Sequence, residues 1–266
     1  MKSKNMIYRP FLLLILVACS SSLFAQNVAY SEHYLDTMVG SDSAKMGTSA
    51  IHHPNSLLKS AVVPLSFVAA GVIIESIPAN TVFSKDRIKQ LVQDQLNGFR
   101  TTADNYLQFV PIAAMFGLKL SGVKSRSDLL NQAILTTKSE LLVSTIVFSM
   151  KALIHDGRPD GSDNHSMPSG HTAQAFASAT LLDMEYRDTN PWISVSGYLC
   201  ATATGFFRVA NNKHWASDVF IGAGIGIASV KLVYLTHRYR WGKLPSAVLV
   251  PTICQNGGGV AFAMKF

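Results

Sequence analysis

Six apolar stretches, near residues 61–77, 106–121, 134–154, 171–185, 191–209 and 217–236, recur along this chain and read as helices. Most run 15 to 20 residues, at or below the roughly 20 needed to cross a bilayer. Lys119, Lys151, Gln174 and Lys231 interrupt them. Between the first two, Ser84 to Arg100 is amphipathic: Ile88, Leu91, Val92, Leu96 and Phe99 repeat at helical spacing against Lys85, Arg87, Lys89 and Asp94. Such a helix either lies on a membrane surface or packs against the body. Gly222-Ala223-Gly224-Ile225-Gly226 lets a neighbouring helix approach closely, as small residues do in membrane bundles. After Trp241, Ala247 to Pro251 and Gly259 to Phe266 look like two short strands joined through Asn256-Gly257-Gly258.

Hydrophobic residues make up 48% of the 266 and charged residues 15%, below the quarter typical of soluble domains, so membrane contact is expected. Mean hydropathy is only +0.22, which fits short or interrupted apolar segments. A net charge of +7 suits an anionic substrate or an anionic lipid surface. Nucleic acid is disfavoured, because no Lys/Arg run with interleaved aromatics occurs. Residues 1–25 read as a signal peptide: Lys2, Lys4 and Arg9, an apolar run from Phe11 to Ala18, and Leu23-Phe24-Ala25 before Gln26. Leu16-Val17-Ala18-Cys19 offers lipoprotein processing as the alternative. Cys200 and Cys254 read as packing residues, not a disulfide. The basic clusters at Lys119, Lys124 and Arg126 and at His237, Arg238, Arg240 and Lys243 point to cytoplasmic loops. With an exported leader, one stretch must then fail to cross, and 61–77, bounded by Pro64 and Pro78, is the candidate; a monotopic or largely soluble body is the other resolution.

Chemistry concentrates in three motifs: Lys151-x6-Arg158-Pro159, Pro168-Ser169-Gly170-His171 and Arg208-x5-His214-x3-Asp218. Lys151, Arg158 and Arg208 match the two negative charges of a phosphomonoester, and a forked guanidinium suits its oxygens. Ser169 stands at a helix N-cap, where free N–H groups favour an anion, and Gly170 lets the backbone approach phosphate oxygens. A neutral His214 would attack phosphorus, with Asp218 holding its other ring nitrogen protonated. A protonated His171 would deliver its proton to the leaving oxygen.

In these motifs the chain resembles the type-2 phosphatidic-acid phosphatase superfamily, which includes bacterial acid phosphatases, glucose-6-phosphatase and vanadium haloperoxidases. The resemblance covers roughly Leu107 to Tyr239. It implies an all-α helical bundle, a phosphohistidine intermediate and no cofactor or metal. Carried over residue by residue, it assigns phosphate binding to Lys151, Arg158, Ser169, Gly170 and Arg208, and catalysis to His171, His214 and Asp218. Phe207 departs from the pattern, since many members have Ser before the arginine. Arg158 to Ser162, Asn211 to Trp215 and the leader are similar to envelope lipid A phosphatases, so a lipid phosphate in the bacterial envelope is the expected substrate, with a periplasmic site. Undecaprenyl pyrophosphate and phosphatidylglycerol phosphate are rival substrates.

Other readings carry less weight. A metal site on His171, His214, Asp218 and Asp160 or Asp163 would be repelled by three nearby cations. A haloperoxidase would be expected to be longer and less apolar, and a mere phosphate binder would not need a nucleophile, its orienter and an acid. His155 and His165 read as solvated loop residues, His52-His53 as incidental, and Asp156, Asp160 and Asp163 as turn formers. Trp215 either meets a lipid chain or anchors its turn; Trp192 and Trp241 fit interfacial belts. The expected organisation is a signal peptide over 1–25, a polar leader over 26–60, a helical phosphatase domain over 61–240 and a tail with a hairpin over 241–266.

Overall fold

The computed structural model describes residues 54–96 and 98–237, with backbone alone for 54–59, and the backbone of 247–254 and 257–264. The expected signal peptide, Cys19, most of the expected polar leader, Trp241 and the cation cluster from Arg238 onward lie outside the described residues. Two units divide the chain, Met1–Leu235 and Thr236–Phe266. The described part of the first is all-helical: α1 (Pro54–Ser76), α2 (Lys85–Gln95), α3 (Ala103–Leu107), α4 (Val110–Leu120), α5 (Leu129–Leu153), α6 (Gly170–Tyr186), α7 (Pro191–Ala210) and α8 (Ala216–Thr236). α1 begins at Pro54, inside the segment expected to be leader.

Helix starts are written into the sequence as caps. Ser84, Asp128, Ser169 and Asn190 each accept a backbone N–H of the following turn, satisfying donors that a helix start leaves open. α6 is the central helix, packed on α4, α5 and α7, and most of its residues are buried. Its alanines make that possible: Ala173, Ala175, Ala177 and Ala179 have no exposed surface. The glycine run of α8 brings two backbones together. A Cβ at Gly226 would lie 2.3 Å from the Ala173 carbonyl oxygen, and one at Gly222 2.6 Å from that of Ser169. On its other side α8 meets α1, where a Cβ at Gly71 would lie 2.9 Å from the Ser217 carbonyl and one at Gly224 2.7 Å from that of Pro64.

The amphipathic α2 packs on the body. Val92 is buried with Val209 and Ala210 of α7, and Ile88 with Ile74 and Ala216. Its Gln93 side chain donates to the Ala210 carbonyl at 3.1 Å. α5 and α8, at 25 and 21 residues, are long and apolar enough to cross a membrane. α5 leaves Leu130, Ile134, Leu141 and Phe148 exposed along one stripe.

Candidate active site

Successive helices bring distant motifs to one end of the bundle. Lys151 lies in the last turn of α5, and Ser169 caps α6. Arg208 lies in the last turn of α7, and Asp218 in the first turn of α8. The loops joining α5 to α6 and α7 to α8 therefore meet. Their contact is direct: the Ser169 N–H donates to the Asp218 carbonyl at 3.1 Å.

His214 and Asp218 are both buried, and His214 Nδ1 lies 3.3 Å from Asp218 Oδ2. A carboxylate facing an imidazole nitrogen requires the proton on Nδ1, which leaves Nε2 with its lone pair free. The same Asp218 oxygen accepts the Trp215 N–H at 2.9 Å and the Ser166 hydroxyl at 2.5 Å. Burial pushes the His214 imidazole down to about 4, against the pull of Asp218, so it is neutral at physiological pH.

The three cations differ in setting. Arg208 Nη1 donates to Asp104 Oδ2 at 2.7 Å, with Asp104 fully buried, while Arg208 Nε is buried and without a partner. Arg158 Nε donates to Asp163 Oδ1 at 2.8 Å. Lys151 Nζ donates to the carbonyls of His165 at 2.5 Å and Ser166 at 3.2 Å. Hydrogen bonds tie all three to one locus: Arg158 Nη1 donates to the Lys213 carbonyl at 3.4 Å, the Arg208 carbonyl accepts the His214 N–H at 3.3 Å, and Lys151 meets the carbonyl of Ser166, whose hydroxyl bonds Asp218. Burial, then Arg208, pushes His171 down to about 4, while Asp104 opposes the shift. His171 Nε2 lies 2.9 Å from Asn105 Oδ1.

Ser169 has no exposed surface, and its hydroxyl is taken up within the helix start, 2.9 Å from Thr172 Oγ1 and 3.4 Å from the Thr172 N–H. What this position offers an anion is the helix start itself. A Cβ at Gly170 would meet only Val147 Cγ1, at 3.6 Å, so packing does not demand glycine there.

Several residues around the site escaped sequence reasoning. Ser166 joins the first and third motifs: its hydroxyl meets Asp218 and its carbonyl accepts Lys151. Asp104 and Asn105, on the short α3, touch Arg208 and His171. Only an acidic residue beside an apolar segment hinted at them. Trp215 anchors its turn: its indole N–H donates to the Gly157 carbonyl at 2.8 Å, and Lys85 and Lys89 each sit 5.1 Å from its ring. Lys89 also donates to the Pro159 carbonyl at 2.6 Å. The aspartates expected as turn formers also pair with cations, Asp163 with Arg158 and Asp160 with Lys213 at 2.6 Å. Phe207, where a serine was expected, stacks on Phe99. His155 and His165 are exposed.

Among the described residues of the first unit, an all-helical body gathers histidines, arginines and a lysine where two loops meet, a set whose chemistry suits a phosphate. Residues 131–242 match the PAP2 superfamily. It is 36% identical over 227 residues to a lipid A 1-phosphatase of Porphyromonas gingivalis, an alignment covering 84% of this chain and 49% of that protein. The chain thus spans about half the length of this curated relative. Among solved structures, Aquifex aeolicus LpxE matches with a TM-score of 0.43 at 21% identity, over 55% of this chain and 93% of the other. A transmembrane PAP2-type phosphatidylglycerolphosphate phosphatase from Bacillus subtilis matches with a TM-score of 0.46 at 17% identity, over 68% and 99%.

Proposed function

We propose that this protein is a membrane-associated phosphatase of the bacterial envelope that removes a phosphate from lipid A through a phosphohistidine on His214. The observation that carries the proposal is the buried His214–Asp218 pair, with a free Nε2, beside Arg208, Arg158 and Lys151. The likeness to a lipid A 1-phosphatase supports lipid A as the substrate and its 1-phosphate as the group removed.

In the first step His214 Nε2 attacks phosphorus, and the bond from phosphorus to the leaving oxygen breaks. His171 gives that oxygen its proton, releasing an alcohol. Water then attacks the phosphohistidine, giving its proton to His171, and inorganic phosphate leaves with His214 restored. Arg208, with its unpartnered Nε, Arg158, Lys151 and the α6 start at Ser169 and Gly170 stabilise the equatorial oxygens throughout.

Membrane association is supported by the lengths of α5 and α8 and by the exposed apolar stripe of α5. In this reading the active site faces the periplasm, residues 1–25 direct export, and the tail over 241–266 carries a short hairpin. The test is phosphate release from lipid A in detergent micelles by the wild type and by His214→Ala, alongside mass spectra of envelope lipids from cells with and without the protein. Undiminished release by His214→Ala removes the mechanism, and unchanged lipid spectra remove the substrate.

A further inference from the structure

Asp104 and Asn105 are consecutive residues of α3, outside the matched residues 131–242, and they reach two different parts of the site. Asp104 is 1% exposed; its Oδ2 accepts Arg208 Nη1 at 2.7 Å, and its Oδ1 accepts Asn211 Nδ2 at 3.4 Å. Asn105 is exposed, and its Oδ1 sits 2.9 Å from His171 Nε2. The segment is fastened to the end of α7 on both sides: the Thr101 N–H donates to Asn211 Oδ1 at 2.9 Å, and Asn211 Nδ2 donates to the Thr101 carbonyl at 2.8 Å. The Arg208 carbonyl in turn accepts the backbone N–H groups of Lys213 at 3.0 Å and His214 at 3.3 Å. One short helix thereby spaces the imidazole of His171 from the guanidinium of Arg208.

We infer that Asn105 is a positioning residue for proton delivery, accepting the His171 Nε2 proton so that the ring is fixed and Nδ1 is the nitrogen that exchanges a proton with the leaving oxygen, while the adjacent Asp104 fixes Arg208 in register with it. The chemistry follows from the amide oxygen, which only accepts, so the imidazole nitrogen opposite it carries hydrogen. A histidine that must donate to a leaving oxygen needs one nitrogen anchored and the other free to take up and release a proton before substrate arrives. The inference rests on the reading of His171 as the proton donor. The charged groups around this imidazole are Arg208 of α7, Arg158 of the loop, Lys151 of α5 and Asp104 of α3.

Leaving-group dependence separates positioning from general structural damage. An alkyl phosphate needs a proton on its departing oxygen, whereas p-nitrophenyl phosphate expels a stable phenolate without one. For Asn105→Ala, kcat/KM on lipid phosphate is expected to fall about tenfold or more, with p-nitrophenyl phosphate spared. Asn105→Asp places a carboxylate opposite the imidazolium, so the alkaline limb of kcat/KM on lipid phosphate moves to higher pH. His171→Ala is the control and should show the same leaving-group selectivity more strongly. If His171→Ala shows it and Asn105→Ala does not, the positioning inference fails while the donor reading stands. If His171→Ala loses both substrates equally, the donor reading fails and the inference goes with it. Equal loss on both substrates by Asn105→Ala, or an unmoved limb in Asn105→Asp, also overturns the inference.

Discussion

The Ser169 amide donates to the carbonyl of Asp218 at 3.1 Å, joining the first residue before α6 to the first turn of α8. Nearby, Gly222 of α8 lies against the Ser169 carbonyl so closely that a Cβ there would stand 2.6 Å away. The helix start proposed to hold a phosphate and the carboxylate facing His214 are therefore parts of one backbone junction. Geometry at His214 depends on how closely these two helices pack.

Two glycines test that dependence in opposite directions. Gly226→Ala puts a Cβ 2.3 Å from a backbone oxygen that cannot rotate away, and should destabilise by about 1–3 kcal/mol despite the better helix propensity of alanine. Gly170→Ala finds room in the protein and should keep the wild-type melting temperature while losing phosphate affinity. Thermal melts in detergent and KM for the two variants check this; a melting loss at Gly170 matching that at Gly226 would contradict it.

Ser166→Ala removes a buried hydroxyl 2.5 Å from Asp218 Oδ2. A hydrogen bond to a charged group is worth about 1.5–3 kcal/mol, so kcat should fall roughly ten- to a hundredfold. KM should change little, because Lys151 is held by the Ser166 carbonyl, which the substitution keeps. A large rise in KM with normal kcat would refute this role.

Activity should depend on pH differently in free and substrate-bound protein. His171 is held down to about 4 by burial and by cations that, without substrate, have no phosphate to neutralise them. A phosphate anion offsets those charges and raises the imidazole, so the alkaline limb of kcat should lie at higher pH than that of kcat/KM. Superimposable limbs in the two profiles would mean that substrate does not recharge His171.

Stability carries the same signature. His171 and His214, depressed to about 4 when folded against an ordinary value of 6.5, bind fewer protons folded than unfolded between those limits. Stability is then complete above about 6.5 and declines as pH falls toward 4. Replacing both with asparagine should flatten chemical-denaturation stability across that window; an unchanged slope would show that other groups dominate.

Asp104→Asn should cost more than its exposed neighbour. Breaking a buried pair typically costs about 3–5 kcal/mol, because Arg208 is left charged and uncompensated. Reduced melting temperature together with a raised KM is expected, read by thermal melts and phosphate-release kinetics. Wild-type values for both would show that Arg208 does not rely on Asp104.

Much of this protein was legible in its sequence because local chemistry repeats there. Apolar stretches, capping residues such as Asp128 and Ser169, and the small residues of α8 announce helices and close packing without tertiary information. The three motifs likewise name their own chemistry, since cations and histidines at those spacings suit a phosphoryl group. What spacing could not say is which atoms meet across long separations. Ser166 with Asp218, Asp104 with Arg208, Asn105 with His171 and Lys89 with Trp215 come from segments that carry no shared pattern. Nor could sequence choose between a membrane surface and the body for α2; the apolar faces of α7 and α8, available only after folding, bury Ile88 and Val92. Local propensity determined the helices and the motifs placed at their ends, while packing alone decided the hydrogen-bond partners of those motifs, because the partners depend on backbone approaches that no short stretch of chain encodes.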